Sequence, residues 1–492
     1  MMLYAARKEA RRWAAHMQRF RKDEDGSVIV FTLFILVLML VLGGMAVDFM
    51  RFEARRTKLQ GVADAAVLAA ADLDQERDPA DVVRDYFAKA GMASYLKGDP
   101  VIEGNANNRS VTANAEMPLN TYFLKLIGMN TLTAGAASTA IEGVGNIEVS
   151  LVLDISGSMR EVIPDTGGVT RIQRLREAST NFVNTLLKDE YEDKISISLV
   201  PYSEHVNPGS EIFGQFSTNQ QHAFSHCIEF PAGEYQNVSL NLTLTYDQAQ
   251  HYQFNQTYNS SGYIVPTVDQ PICPQESFET IVPLTQNKSL LNGRISQFQP
   301  RAGTSIFLGM KWAVAMLDPS FKTVMAGLPT AMRDPAFADR PANHGTIANP
   351  SDTTKYVILM SDGQNDNSYR LKSQYYNTPS KRAHFAFESY QYYWQTDLDA
   401  RVGFWNFLDP KYDPTNGDAY LDDICDAARA KNITVYSIAM GTDSDPAEDA
   451  RGKAALENCA SAPSFYYETS GAELVAIFEE IADQITDLRL TQ

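Results

Sequence analysis

Hydrophobic and polar positions divide this chain into regions of different rhythm. Residues 28–47 form an uninterrupted uncharged run, VIVFTLFILVLMLVLGGMAV. As a helix rising about 1.5 Å per residue it spans roughly 30 Å, the thickness of a bilayer core. Its alternatives are a buried soluble helix and a signal-peptide core. A signal core is usually about 7–15 residues long, and Asp48-Phe49-Met50-Arg51 makes a poor cleavage site. The run is therefore read as a retained transmembrane helix. Beyond it, Phe49, Phe52, Leu59, Val62, Ala66 and Ala70 recur at helical spacing in an Ala-rich stretch without proline. This predicts a helical stalk over 48–76, with Gly61 as its weak point. Asp78-Pro79 has the form of a helix start, and that helix is expected to end near Gly91. Residues 99–141 read as strand, strand, short helix, strand. The strand patterns lie at 110–116 and 131–141 and the helix at 118–129. Residues 77–145 are thus expected to form a small α+β unit.

From residue 146 strands and helices alternate. Apolar runs predict strands over 147–153, 195–201, 356–360, 433–440 and 465–468. Amphipathic stretches predict helices over 171–188, 290–298, 305–317, 421–431 and 472–488. Apolar strands between amphipathic helices imply an α/β fold, a mostly parallel sheet covered on both faces. Two insertions interrupt this domain of 146–492. The first, about 204–277, is rich in Asn, Gln, Ser and Tyr, within a stretch (195–287) lacking Lys and Arg. The second, about 364–418, holds 13 aromatic residues in 55, against 10% for the whole chain. Both are expected at the surface.

A length of 492 residues exceeds one ordinary domain, and 44% hydrophobic with 21% charged residues excludes a disordered chain. Net charge is −18, which argues against nucleic acid as the partner. The charge is unevenly spread. Residues 1–60 hold 11 basic and 6 acidic side chains, whereas 61–492 hold 31 and 54. Seven basic residues precede the apolar run (Arg7, Lys8, Arg11, Arg12, Arg19, Arg21, Lys22) and four follow it (Arg51, Arg55, Arg56, Lys58). This bias places 1–27 in the cytoplasm and 48–492 beyond the membrane. Four cysteines without CxxC spacing fit two disulfides in an oxidising compartment, the alternative being four buried thiols. Cys227 and Cys273 bracket much of the first insertion, while Cys425 and Cys459 belong to the α/β core. Pairing within each region gives Cys227–Cys273 and Cys425–Cys459; sequence leaves the other two connectivities open.

The chemistry concentrates at strand ends. Leu151-Val-Leu-Asp154-Ile-Ser156-Gly-Ser158-Met159 delivers a carboxylate and two hydroxyls to the loop after the first strand of the sheet. At the C-terminal edge of a parallel sheet such side chains converge where these folds bind ligands. Their oxygens suit a hard divalent ion; taken alone they also suit helix capping. Arg301-Ala-Gly-Thr304-Ser305 adds a hydroxyl before a helix. Tyr356-Val-Ile-Leu-Met-Ser361-Asp362-Gly363 ends a second apolar strand in a carboxylate. His222, His226 and His251 are irregularly spaced and are read as polar loop residues.

In order and spacing, Asp154, Ser156, Ser158, Thr304 and Asp362 resemble the DxSxS…T…D pattern of the von Willebrand factor A family, over residues 147–488. The resemblance implies a doubly wound sheet and a metal-ion-dependent adhesion site. There Mg²⁺, with Mn²⁺ or Ca²⁺ as alternatives, contacts the two serines and the threonine, and the aspartates bind directly or through water. It also implies a protein partner whose acidic residue completes the metal shell. Asp25-Gly-Ser-Val-Ile-Val-Phe, Ala46-Val-Asp48-Phe and Arg55-Arg-Thr-Lys-Leu-Gln60-Gly-Val-Ala-Asp64 are similar to the TadE/TadG-like segment of tight-adherence (Flp) pilus assembly. Related components can be processed after a glycine, for which Gly26 is the candidate. Phe31 stands where pilin-type segments carry Glu, so the anchor is read as uncleaved. The two resemblances together imply a single-pass inner-membrane protein whose periplasmic A domain binds pilus or secretion-apparatus proteins. A surface adhesin exported with the pilus is the alternative. A metal-dependent hydrolase is disfavoured, because no histidine lies in these motifs to serve as base.

Overall fold

The computed structural model describes residues 25–72, 77–105, 108–143, 145–345, 353–396, 403–441 and 446–487. Most of the expected cytoplasmic segment, and the last residues of the stretch expected as a stalk, lie outside these. The chain divides into two compact units, Met1–Gly143 and Val144–Gln492.

The first unit is built on one long helix, α1 (Asp25–Ala71), unbroken at Gly61. Its apolar start stands largely exposed, long and apolar enough to cross a membrane. Its later half does different work. Leu59, Ala63, Ala66, Val67 and Ala70 fall on one face and are fully buried. They pack with Ala113, Ala115, Ala134 and Ala136 of an antiparallel sheet and with Val83 and Phe87 of α2 (Pro79–Lys89). Small side chains on both surfaces bring helix and sheet together, so the stretch expected as a stalk is the spine of the α+β unit. Asp78 caps α2, accepting the N–H groups of Ala80 and Asp81. The sheet runs β1 (Val101–Asn105), β2 (Asn108–Asn120), β3 (Thr131–Gly143) in that spatial order. The helix expected over 118–129 shrinks to a 3₁₀ turn, Leu124–Ile127, because β2 continues through Pro118. β1 pairs with β2 only as far as Thr112. At Pro118 that side of β2 lies past the end of β1, where a residue without an N–H is tolerated.

The second unit is a six-stranded sheet. Its strands are β4 (Asn146–Asp154), β5 (Ile195–Tyr202), β6 (Val282–Thr285), β7 (Thr353–Ser361), β8 (Ile433–Met440) and β9 (Tyr466–Thr469). The spatial order is β6-β5-β4-β7-β8-β9. All neighbours are parallel except β6, an antiparallel edge. β6 was not expected from sequence. It is only four residues long, contains Pro283 and pairs irregularly, so it carries no alternation to read. Along β4 the side chains alternate between two cores. Val152 faces a layer of α5 (Ile306–Leu317), α6 (Pro414–Ala430) and α7 (Pro446–Cys459). Ile147, Val149, Leu151 and Leu153 face α3 (Arg171–Leu186), α4 (Lys288–Ile295) and α8 (Leu474–Asp487). Every residue of α5 is buried, including Lys311, whose Nζ donates to the carbonyls of Glu234 (2.6 Å), Asn237 (2.6 Å) and Ser239 (2.8 Å). These three acceptors satisfy an ammonium's three protons and hold the first insertion onto the helix.

The described parts of the two insertions pack on one another. Tyr252 and Ile272 of the first share a core with Leu371, Tyr376, Phe385, Tyr390, Phe407 and Leu408 of the second. Disulfides join Cys227 to Cys273 and Cys425 to Cys459.

Candidate metal centre

β4 and β7 are adjacent parallel strands, so their C-terminal ends open on the same edge of the sheet. β4 ends at Asp154 and β7 at Ser361, one residue before Asp362. Asp154 is fully buried. Its Oδ1 accepts the Ser156 N–H at 2.7 Å, and its Oδ2 accepts the Ser361 hydroxyl at 2.7 Å and the Tyr202 hydroxyl at 3.3 Å. The Ser156 and Ser158 hydroxyls lie 3.0 Å apart, and Ser158 Oγ donates to Asp362 Oδ1 at 2.6 Å. Four of the five sequence-predicted residues therefore form one hydrogen-bonded cluster.

Thr304 reaches the same edge through the backbone. Arg301 N donates to Ile155 O at 2.8 Å, and Gly157 N donates to Ala302 O at 2.9 Å. A Cβ on Gly157 would lie 2.9 Å from that carbonyl, so the approach of the two loops requires glycine. Thr304 is buried, its N–H bonded to Asp366 Oδ2 at 3.1 Å, and its side chain makes no bond within the cluster.

Charge at the edge is arranged around a buried guanidinium. Arg171, at the start of α3, donates to Asp362 Oδ2 at 2.9 Å and pairs with Glu161 at 3.0 Å. Burial pushes the Asp154 carboxyl up despite its hydrogen bonds. Burial, then the neighbouring Asp154, pushes Asp362 up to about 7, with Arg171 opposing. Two carboxyls held against their charge in a dry site are where a cation would be favoured. The donors are carboxylate and hydroxyl oxygens, the set a hard divalent ion takes. Ser305 Oγ, beside Thr304, is buried with no hydrogen-bond partner among the described residues, a further oxygen on this edge. Among the described residues no group of three or more His, Cys, Asp or Glu is placed to hold a metal, so any ion here must rely on hydroxyls beside two carboxylates.

Sequence reading missed Arg171, Tyr202 and Asp366. Arg171 carried a signal: it sits one turn before Leu175 on the apolar face of α3, where a solvated arginine has no place. The histidines are loop residues, as read, but not merely polar ones. His222 and His251 are buried, and burial lowers the affinity of both for protons, that of His251 to about 3.

Both insertions leave the sheet at this edge. Gln270 of the first accepts the Ala302 N–H at 3.3 Å, and Asp366 of the second accepts that of Thr304. Exposed aromatics, among them Tyr263, Phe387 and Trp405, stud the surfaces of the insertions.

Among solved structures, the chain is similar to the von Willebrand factor domain of the type V pili tip protein Mfa5 from Porphyromonas gingivalis. That match has 16% identity over 71% of this chain and 97% of that one, with a TM-score of 0.34. It is similar to the pilus adhesin SpaC from Lactobacillus rhamnosus GG, with 13% identity over 79% of this chain and 33% of that one and a TM-score of 0.33. The chain thus spans about a third of that adhesin's length. It is also similar to the adhesive tip pilin GBS104 from Group B Streptococcus agalactiae, at 10% identity over 70% and 100% of the two chains and a TM-score of 0.34. No curated protein matches the chain at a significant level. Residues 26–73, which hold the apolar run and the helix beyond it, match the family described as putative Flp pilus-assembly TadE/G-like.

Proposed function

We propose that this chain is a membrane-anchored interaction protein of a tight-adherence pilus system, and that its second unit is a von Willebrand factor A domain. That domain grips a protein partner through a divalent cation. The observation that carries the reading is the meeting of Asp154, Ser156, Ser158 and Asp362, from two strand ends 208 residues apart, in one buried cluster. Together with Thr304 they would hold the ion. When bound, Mg²⁺ (or Mn²⁺ or Ca²⁺) supplies a positive centre for an acidic residue of the partner. The chain's own residues prepare that place. Ser361 and Tyr202 fix the Asp154 carboxylate, Arg171 fixes that of Asp362, and the insertions frame the edge with aromatic surface suited to a protein interface. No catalytic step is assigned, since the motif residues bond one another and none is a histidine.

The anchor is α1, crossing the inner membrane with residues 1–27 in the cytoplasm and the second unit in the periplasm. The match of 26–73 to a pilus-assembly family supports this setting, and pilus or secretion-apparatus proteins are the expected partners. The test is calorimetric titration of the full chain in detergent with Mg²⁺ and Mn²⁺. Wild type is expected to bind one ion, and Asp154→Ala, which removes an anion from the cluster but no packing side chain, to bind none. Equal binding by both proteins would remove the assignment.

A further inference from the structure

A helix that crosses a bilayer sets the depth of whatever is packed upon it. In the first unit, the turn joining β2 to β3 is packed on α1 where the apolar run ends. Asp48, one residue past the run, is buried, and its carboxylate accepts the N–H groups of Tyr122 (2.9 Å), Phe123 (2.7 Å) and Leu124 (2.9 Å). One turn earlier the Phe123 ring lies over Gly44, so closely that a Cβ there would fall 2.2 Å from it. Three residues later the Arg51 guanidinium stands 3.9 Å over the centre of the Tyr122 ring. The turn is thus fixed to the helix at three successive levels.

The turn's own bonds decide what it shows outward. Gly128, at a φ of +88°, closes the 3₁₀ turn by donating to Lys125 O, and Met129 N donates to Leu124 O. Leu124 points inward and is buried. Tyr122, Leu126, Ile127 and Met129 are left 57%, 67%, 56% and 46% exposed, with Lys125 among them. A contiguous apolar patch of this kind on a small unit marks a contact surface. Its position says with what. Gly44 lies three residues inside the end of the apolar run, roughly 5 Å along the helix. Any bilayer that accepts residues 28–47 must then meet the turn at the same depth.

We propose that the β2–β3 turn is a second membrane contact, a wedge seated in the headgroup and upper acyl region of the leaflet from which α1 emerges. The inference rests on the membrane-anchor reading above. Its residues are those of interfacial elements: Tyr122 for the aromatic belt, Leu126 and Ile127 for the acyl boundary, and Lys125 to reach back to the headgroups. Interfacial elements bury about 5–10 Å into that boundary, which agrees with the depth of Gly44. With a helix and a wedge both seated, the first unit cannot swivel about the helix axis.

The test places a polarity-sensitive label at single introduced cysteines in the full chain. The native cysteines are paired, which leaves the new thiol to react. Leu126→Cys and Ile127→Cys probe the wedge, Leu36→Cys the membrane helix, and Leu68→Cys an exposed site on α1 roughly 30 Å beyond the end of the apolar run. Each protein is reconstituted in phosphatidylethanolamine–phosphatidylglycerol vesicles and exposed to a nitroxide-bearing lipid or to a water-soluble nickel quencher. The expected result is lipid quenching several-fold above aqueous quenching at 36, 126 and 127, and the reverse at 68. Lipid quenching at 36 with aqueous quenching at both 126 and 127 overturns the wedge and leaves the anchor standing. Aqueous quenching at 36 as well overturns both.

Discussion

Arg171 shows what one buried charge does for this molecule. It is 1% exposed and touches two carboxylates, of which Asp362 is also buried. Without the guanidinium, Asp362 faces Asp154 across a site that excludes water. Removing one partner of a buried pair typically costs about 3–5 kcal/mol, and Asp362 can soften that by taking up a proton. We therefore expect Arg171→Gln to lower the ion-free stability by about 3 kcal/mol in urea titration. We also expect Mg²⁺ to raise the midpoint of this variant more than that of wild type, because the ion then supplies the missing positive charge. An unchanged midpoint would mean that Arg171 is not the counter-charge of Asp362. Asp154, Ser156 and Ser158 were legible in sequence because they alternate within five residues directly after an apolar strand. Asp362 was legible as the carboxylate after a second apolar strand and Thr304 as a hydroxyl before a helix, but only the family resemblance joined them to the first three. Arg171 announced itself only as an arginine on an apolar helix face; its partner Asp362, 191 residues away, was not legible locally.

Among the elements, the insertions depart furthest from what their sequence announces. Their aromatic and amide richness was plain, but the packing of one against the other was not, because the shared core is assembled from both and complete in neither. The join is polar as well as apolar. Arg370 of the second insertion donates to Glu229 of the first at 2.6 Å, and Tyr412 donates to the same carboxylate at 2.8 Å. Burial alone would push the Glu229 carboxyl up, yet Arg370, with His205 and Lys411, holds it well below the usual range. A depressed acid contributes stability that is complete above its unfolded pKa, about 4.3, and is lost as pH falls toward the folded value. Glu229→Gln imitates the protonated acid and strands Arg370. We expect a loss of about 3–5 kcal/mol near neutral pH. The gap to wild type should narrow as wild type is acidified below about pH 4. Denaturation of both proteins across that range checks this; a gap independent of pH would assign the loss to packing instead of charge.

For the whole molecule, two independent arguments bear on which side of the membrane the second unit occupies. The first is the flanking charge, seven basic residues before the apolar run against four after it. That margin is modest, and the four downstream residues lie on a continuous helix close to the run. The second comes from the fold. Cys227–Cys273 closes part of the first insertion and Cys425–Cys459 ties α6 to the end of α7, so both bridges are built into the unit. Disulfides of this structural kind persist in the periplasm and are rare in the cytoplasm. All of this predicts that a reporter active only in the periplasm will be active when fused after Gln492, and that a reporter active only in the cytoplasm will be silent there. It predicts further that thiol-reactive reagent added to intact, outer-membrane-permeabilised cells will label none of the four cysteines until a reductant is supplied. A silent periplasmic reporter with an active cytoplasmic one would reverse the orientation. Four thiols that react without reductant would remove the disulfide argument and leave the charge bias to stand alone.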